Sequence, residues 1–176
     1  MGPLPFASPV GAAFASAGDS TYVFGGYECW TEEGKRRIRK FSRAWRYDFA
    51  ADAWTRLADA PFLASGWCAA AYGESIILLG GGLSVEVQGV SLAYQTSPLL
   101  EQGTWRQRMI GSYSDLVMVY DIPSDRYRIL EERLPTGNND VRCALVGNTL
   151  YVAGGETVDG PLSNCSELVL VGTIQD

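Results

Sequence analysis

Histidine is absent from all 176 residues of this chain. That removes Ser-His-Asp and Cys-His nucleophile pairs, and any histidine-ligated metal chemistry built from this chain alone. The four cysteines, Cys29, Cys68, Cys143 and Cys165, form no CxxC pair and no zinc-type spacing. They read as free thiols, mostly buried. No run of eighteen apolar residues occurs, so the sequence predicts no membrane-spanning helix. The opening MGPLPFASPVG has neither a basic start nor an apolar stretch of signal-peptide length. Charge is sparse as well: charged residues make up 19% of the chain, with 20 acids against 14 bases and a net charge of −6. That balance gives no electrostatic reason to expect nucleic acid as a partner. One stretch opposes it. Lys35, Arg36, Arg37, Arg39, Lys40, Arg43 and Arg46 hold half of all basic residues, and read either as a solvated loop or as a capture site for an acidic ligand.

What the sequence does have is apolar content and punctuation. Hydrophobic residues are 47% of the chain, enough for a core, and 20 glycines with 8 prolines suit many short strands better than helices. Three segments repeat: GDSTYVFGG (18–26), GESIILLGG (73–81) and GNTLYVAGG (147–155). Each begins with a glycine turn, runs through apolar residues and ends on a double glycine. Small apolar stretches precede them: AAFASA (12–17), WCAAAY (67–72) and VRCALV (141–146). The pattern predicts two strands joined by a tight turn in each unit. A second half also recurs, since AWRYDFAADAWTRL (44–57) matches VMVYDIPSDRYRIL (117–130). In both, an aromatic, Trp54 or Tyr127, follows six residues after the aspartate of Tyr-Asp. Asp48 and Asp121 are placed to bond the turn backbone. Pro61 and Pro135 are expected to end their units, because a central strand has no place for proline. The double glycines lie 55 and 74 residues apart, which puts insertions near 31–43 and 83–113.

This combination of double glycine, Tyr-Asp and a later aromatic resembles the kelch repeat. The resemblance implies an all-β fold of propeller blades: 1–61 as one blade, 62–135 as a second with the insertion 83–113, and 136–176 as a third without its outer strand. Three blades do not close a ring, so they are expected to be half of a six-bladed propeller. The other half would be another chain, a cleaved segment or a second copy of this one. A self-contained three-blade solenoid is the alternative.

Blade-to-blade loops and the loops after each double glycine should share one face around a central channel. That face would collect Ser8, Tyr27, Glu28, Trp30, Ser65, Trp67, Asn138, Asn139, Asp140, Arg142, Glu156 and Asp159. Arg142 takes the place that Ala13 and Cys68 hold in the other units. A guanidinium there reads either as a carboxylate clamp or as a partner of Asp140 or Glu156. Glu156 is a carboxylate suited to general acid–base work, or a solvated loop residue. Trp30 and Trp67 are ring faces for a sugar, or packing. Asn139, Asp140 and Glu28 complete the candidate binding set.

Within kelch proteins, YGESIILLGGG (72–82) and GGETVDGPLSNCSELVLVGTI (154–174) look most like N-acetylneuraminate epimerase (sialic acid mutarotase) proteins. The resemblance implies anomer interconversion of an acidic sugar with no metal or other cofactor, and a periplasmic or secreted location. It carries over Glu156 alone. The family often has arginine a few residues later, where this chain reads Pro161-Leu162-Ser163. A non-catalytic module that binds a protein or a glycan is the second reading.

Overall fold

The computed structural model describes residues 5, 10–87, 90–93, 113–157, 164–165 and 167–175, and among these every regular element is a strand. The first repeat supplies β1 (Ala13–Ala17), β2 (Ser20–Phe24), β3 (Tyr27–Glu32), β4 (Lys35–Lys40), β5 (Ala44–Asp48) and β6 (Ala53–Leu57). Four of them form an antiparallel sheet in the order β1-β2-β5-β6. The remaining pair, β3 and β4, is a two-stranded hairpin inserted between β2 and β5. Gly18, at φ 55°, opens the two-residue turn between β1 and β2, a backbone that glycine enters without strain. Asp48 accepts from the amides of Ala50 and Ala51, both at 2.9 Å, which fixes the turn before β6.

The second repeat runs through β7 (Leu63–Tyr72), β8 (Ser75–Val87), β9 (Val90–Ala93), β10 (Ser114–Asp121) and β11 (Arg126–Asn139). The third supplies β12 (Arg142–Val146), β13 (Thr149–Ala153), β14 (Glu156–Thr157), β15 (Asn164–Cys165) and β16 (Val169–Thr173). A second sheet follows the order β15-β14-β11-β10-β8-β7, with β9 on β8, and a third is β12-β13-β16.

Two expectations need correction. Pro135 does not end its strand, because β11 continues to Asn139. Its ladder jumps from the pair Leu116–Arg133 to Ser114–Asn138, and the proline sits in the bulge between, where no ladder amide is required. The basic run is largely solvated, with Lys35, Arg37 and Arg39 exposed, but its first half is not a loop. Lys35–Lys40 is a strand, and Glu28–Arg39 and Glu32–Lys35 face each other across the hairpin.

Period-2 alternation decides what each sheet buries. One face of the first sheet gives Ala13, Ala15, Tyr22, Phe24 and Ala44 to a core shared with Trp67, Ile76, Leu78, Met118 and Tyr120 of the second. The opposite face of the second sheet gives Cys68, Ile77, Leu79 and Val119 to a core shared with Val152, Cys143, Leu150 and Leu170 of the third. The second sheet is therefore covered on both sides. The far face of the third is not: Val146, Tyr151, Val169 and Val171 are 66%, 41%, 61% and 62% exposed.

The double glycines fit this stacking. A methyl on Gly25 would lie 2.5 Å from the Ala64 carbonyl oxygen, and one on Gly80 would lie 2.7 Å from that of Asn138. At Gly25 the backbone of the next sheet occupies the space a side chain would need, and at Gly80 the end of β11 in the same sheet does. Around Gly154, at φ 68°, nothing lies within 4 Å.

Candidate functional site

The first strands of the three sheets, β1, β7 and β12, line one open cavity of about 360 Å³, whose wall includes Ala13, Trp67, Cys68, Asp140, Arg142 and Cys143. Small residues at the innermost positions leave this space. Beyond Asp140 on its wall, the chain gathers polar groups from separate elements.

Glu156 opens β14, directly after the third double glycine, and pairs in register with Asn139 at the end of β11. It is half-buried, and the Tyr113 hydroxyl donates to its Oε2. The Asn139 side chain bonds the same phenol oxygen. Burial pushes the Tyr113 hydroxyl well above the usual phenol range, and the neighbouring Glu156 adds to that shift. The phenol thus stays protonated as a donor to the carboxylate. Asn139 also donates from Nδ2 to Asp140 Oδ2 at 3.4 Å. Asp140, at φ 53°, lies against Gly66, which has no side chain to obstruct it. Asn138 donates to the Gly154 carbonyl at 3.0 Å, while its buried Oδ1 has no partner among the described residues.

Arg142 begins β12 and is exposed, with Nη1 donating to the backbone carbonyls of Val141 (3.0 Å) and Asp140 (3.3 Å). Neither bond is to a carboxylate, so the guanidinium keeps donors for an incoming anion.

The remaining expected residues divide. Trp67 is 2% exposed, and its Nε1 donates to the Phe24 carbonyl at 3.0 Å. Phe24 meets it edge-on, with ring centroids 6.4 Å apart. The ring is thus packing between sheets rather than a platform for a sugar. Trp30, 42% exposed, stands on the β3–β4 hairpin with the Arg39 guanidinium 5.9 Å from its ring centre. Glu28 is ion-paired with the same Arg39. Ser8, Asp159 and 94–112 of the expected insertion lie outside the described residues.

Two contributors were not singled out by the sequence. Tyr113 stood only at the edge of an insertion. Lys40 stood among six other basic residues, yet it is half-buried, and its Nζ donates to the Gly82 carbonyl of β8 at 2.9 Å. Burial lowers its pKa to about 8, partly offset by Asp140. A basic residue at the last position of the β3–β4 hairpin, next to the apolar Phe41, is the signal that could have found it. Among the described residues, no group of three or more histidine, cysteine or acidic side chains is arranged to hold a metal ion.

No family model matches this sequence, and no curated protein matches it. Among solved structures, YjhT is similar at a TM-score of 0.57 and 16% identity, over 85% of this chain and 35% of that one. The chain thus spans about a third of the length of that neighbour. At that identity the likeness speaks to fold alone, and it supports a kelch-type all-β fold for this chain.

Proposed function

We propose that this chain is part of a closed kelch propeller whose channel mouth binds an acidic sugar and interconverts its anomers. The observation that carries this reading is a cluster of the half-buried Glu156, held by the Tyr113 hydroxyl, with Asn139 and Asp140, beside a cavity whose wall includes Asp140 and Arg142. In this reading the Arg142 guanidinium holds the sugar carboxylate. Glu156 takes the proton of the anomeric hydroxyl as the ring C–O bond opens and returns a proton to the ring oxygen. Asn139 and Asp140 orient the hydroxyls, Trp30 and Glu28 border the approach, and Trp67 supports the strand beneath. No cofactor is required by these steps.

The closure half of the proposal rests on the open face of the third sheet. Tyr151 and Ala153 stand where Tyr22 and Phe24 meet the second sheet and where Ile77 and Leu79 meet the third, yet Tyr151 is 41% exposed. Further sheets of the same repeat, from another chain, a cleaved segment or a second copy, would cover that face. Sedimentation of the chain alone tests it: a stable, monodisperse 19.1 kDa species that binds no apolar dye overturns closure.

Anomer exchange of N-acetylneuraminate, followed by NMR, tests the chemistry. The assembled protein should accelerate exchange, and Glu156→Gln should lower the rate about 10²-fold or more. Exchange no faster than buffer overturns the isomerase reading. The exposed Val146, Val169 and Val171 favour a second reading, a non-catalytic module that binds a protein or glycan. Sugar binding without acceleration supports that one.

A further inference from the structure

The two sheet-to-sheet interfaces use equivalent positions with different chemistry. In β1, Ala13 pairs with Phe24, the residue before the first double glycine; in β7, Cys68 pairs with Leu79, the residue before the second. Both point toward the following sheet. One position later, Ala69 of β7 and Cys143 of β12 point back toward the preceding sheet. The first interface therefore sets Ala13 beside Ala69, and the second sets Cys68 beside Cys143. Alanine at the first pair of positions shows that the fold asks only for a small side chain there.

The two cysteines do more than fill space. They lie together in the core between the second and third sheets, Cys68 buried and Cys143 half-buried, close enough for each thiol to perturb the other. Both border the same open cavity, next to Arg142. The neighbouring Cys68 thiol holds the Cys143 thiol below its ordinary range, while Cys143 and burial push Cys68 up. Cys143 is thus the better nucleophile and Cys68 the protonated partner poised behind it. Cys29 stands apart, exposed on β3.

We propose that Cys68 and Cys143 form a hydroperoxide-responsive dithiol that closes to a disulfide between β7 and β12. The Cys143 sulfur attacks one peroxide oxygen, forming an S–O bond as the O–O bond breaks, and the leaving oxygen takes a proton. Cys68 then loses its proton and attacks the Cys143 sulfur, expelling the sulfenyl oxygen as water. Two thiols lose two electrons and two protons, and hydrogen peroxide becomes two waters. The resulting bridge locks the second sheet to the third.

The test uses the full chain carrying Cys29→Ser and Cys165→Ser. It is exposed to stoichiometric hydrogen peroxide, capped with N-ethylmaleimide, and mapped by mass spectrometry. The expected product has lost two hydrogens, takes up no maleimide, and yields one linked pair of peptides holding positions 68 and 143. In the further variant Cys68→Ser, the expected product is a Cys143 sulfenic acid that dimedone traps, with no linked peptide. Full maleimide labelling of both cysteines after peroxide overturns the proposal, as does a Cys68→Ser chain in which dimedone finds nothing at Cys143.

Discussion

The interface between the first and second sheets and the one between the second and third are built on one repeat, yet they hold by different means. The first is aromatic and directional. Phe24 meets Tyr120 edge-on at 5.3 Å, the Ala58 amide donates to Asp125 at 2.9 Å, and Tyr127 donates to the Ala58 carbonyl at 3.0 Å. The second is aliphatic, with Ile77, Leu79, Val119, Val141 and Val152 packed around two thiols. A propeller repeat thus prescribes where the next sheet sits, while the side chains decide whether the contact is keyed by geometry or filled by volume. Keyed contacts should tolerate substitution poorly, and filled ones should relax around it.

The sharpest way to break the comparison is a pair of truncations. Trp67→Ala removes a fully buried ring and its bond to Phe24, and should cost about 3–5 kcal/mol; Leu79→Ala, in the second interface, should cost about 2–5 kcal/mol and fall toward the lower end. Denaturant unfolding measures both. Equal losses would show that the bonding pattern adds nothing to volume.

A finer pair uses glycine. Gly25→Ala places a methyl against the Ala64 carbonyl and the Trp67 ring at φ 61°, and should cost about 2–5 kcal/mol from backbone strain and overpacking together. Gly154→Ala, at φ 68° with open space around it, should cost only the strain, about 1–2 kcal/mol. Thermal melts of the two variants give the difference directly. Losses of the same size would mean that the approach of the second sheet does not matter at Gly25.

Most of the sheet framework was readable before the structure because its signals are local. Turn glycines, alternation and the Tyr-Asp turns each report on a few neighbouring residues, and β1, β2, β5 and β6 fall within a residue or two of their expected places. The β3–β4 hairpin was not readable from apolar alternation, since its strands are mostly polar and exposed and two of its six cross-strand pairs, Glu28–Arg39 and Glu32–Lys35, are charge pairs. The meeting of Tyr113 with Glu156, and of Lys40 with Gly82, depends on separations of about forty residues that no local pattern encodes. Trp67 was visible as an aromatic, but whether it faces the cavity or a neighbouring sheet depends on register. The equivalence of Arg142 with Ala13 and Cys68, by contrast, holds in the observed pairing with Ala153, Phe24 and Leu79.

Past the Pro135 bulge, β11 keeps its pair with β10 at Ser114–Asn138 and on its other edge pairs through Asn138 and Asn139 with Thr157 and Glu156 of the following repeat. Main-chain bonds of the second sheet therefore end on residues encoded after the third double glycine. A recombination joint at 140, between β11 and β12, would sever that stitch even if every hydrophobic contact were restored. For duplication, shuffling or domain grafting, the heritable module is therefore the coupled pair of second and third repeats, not the single sequence repeat.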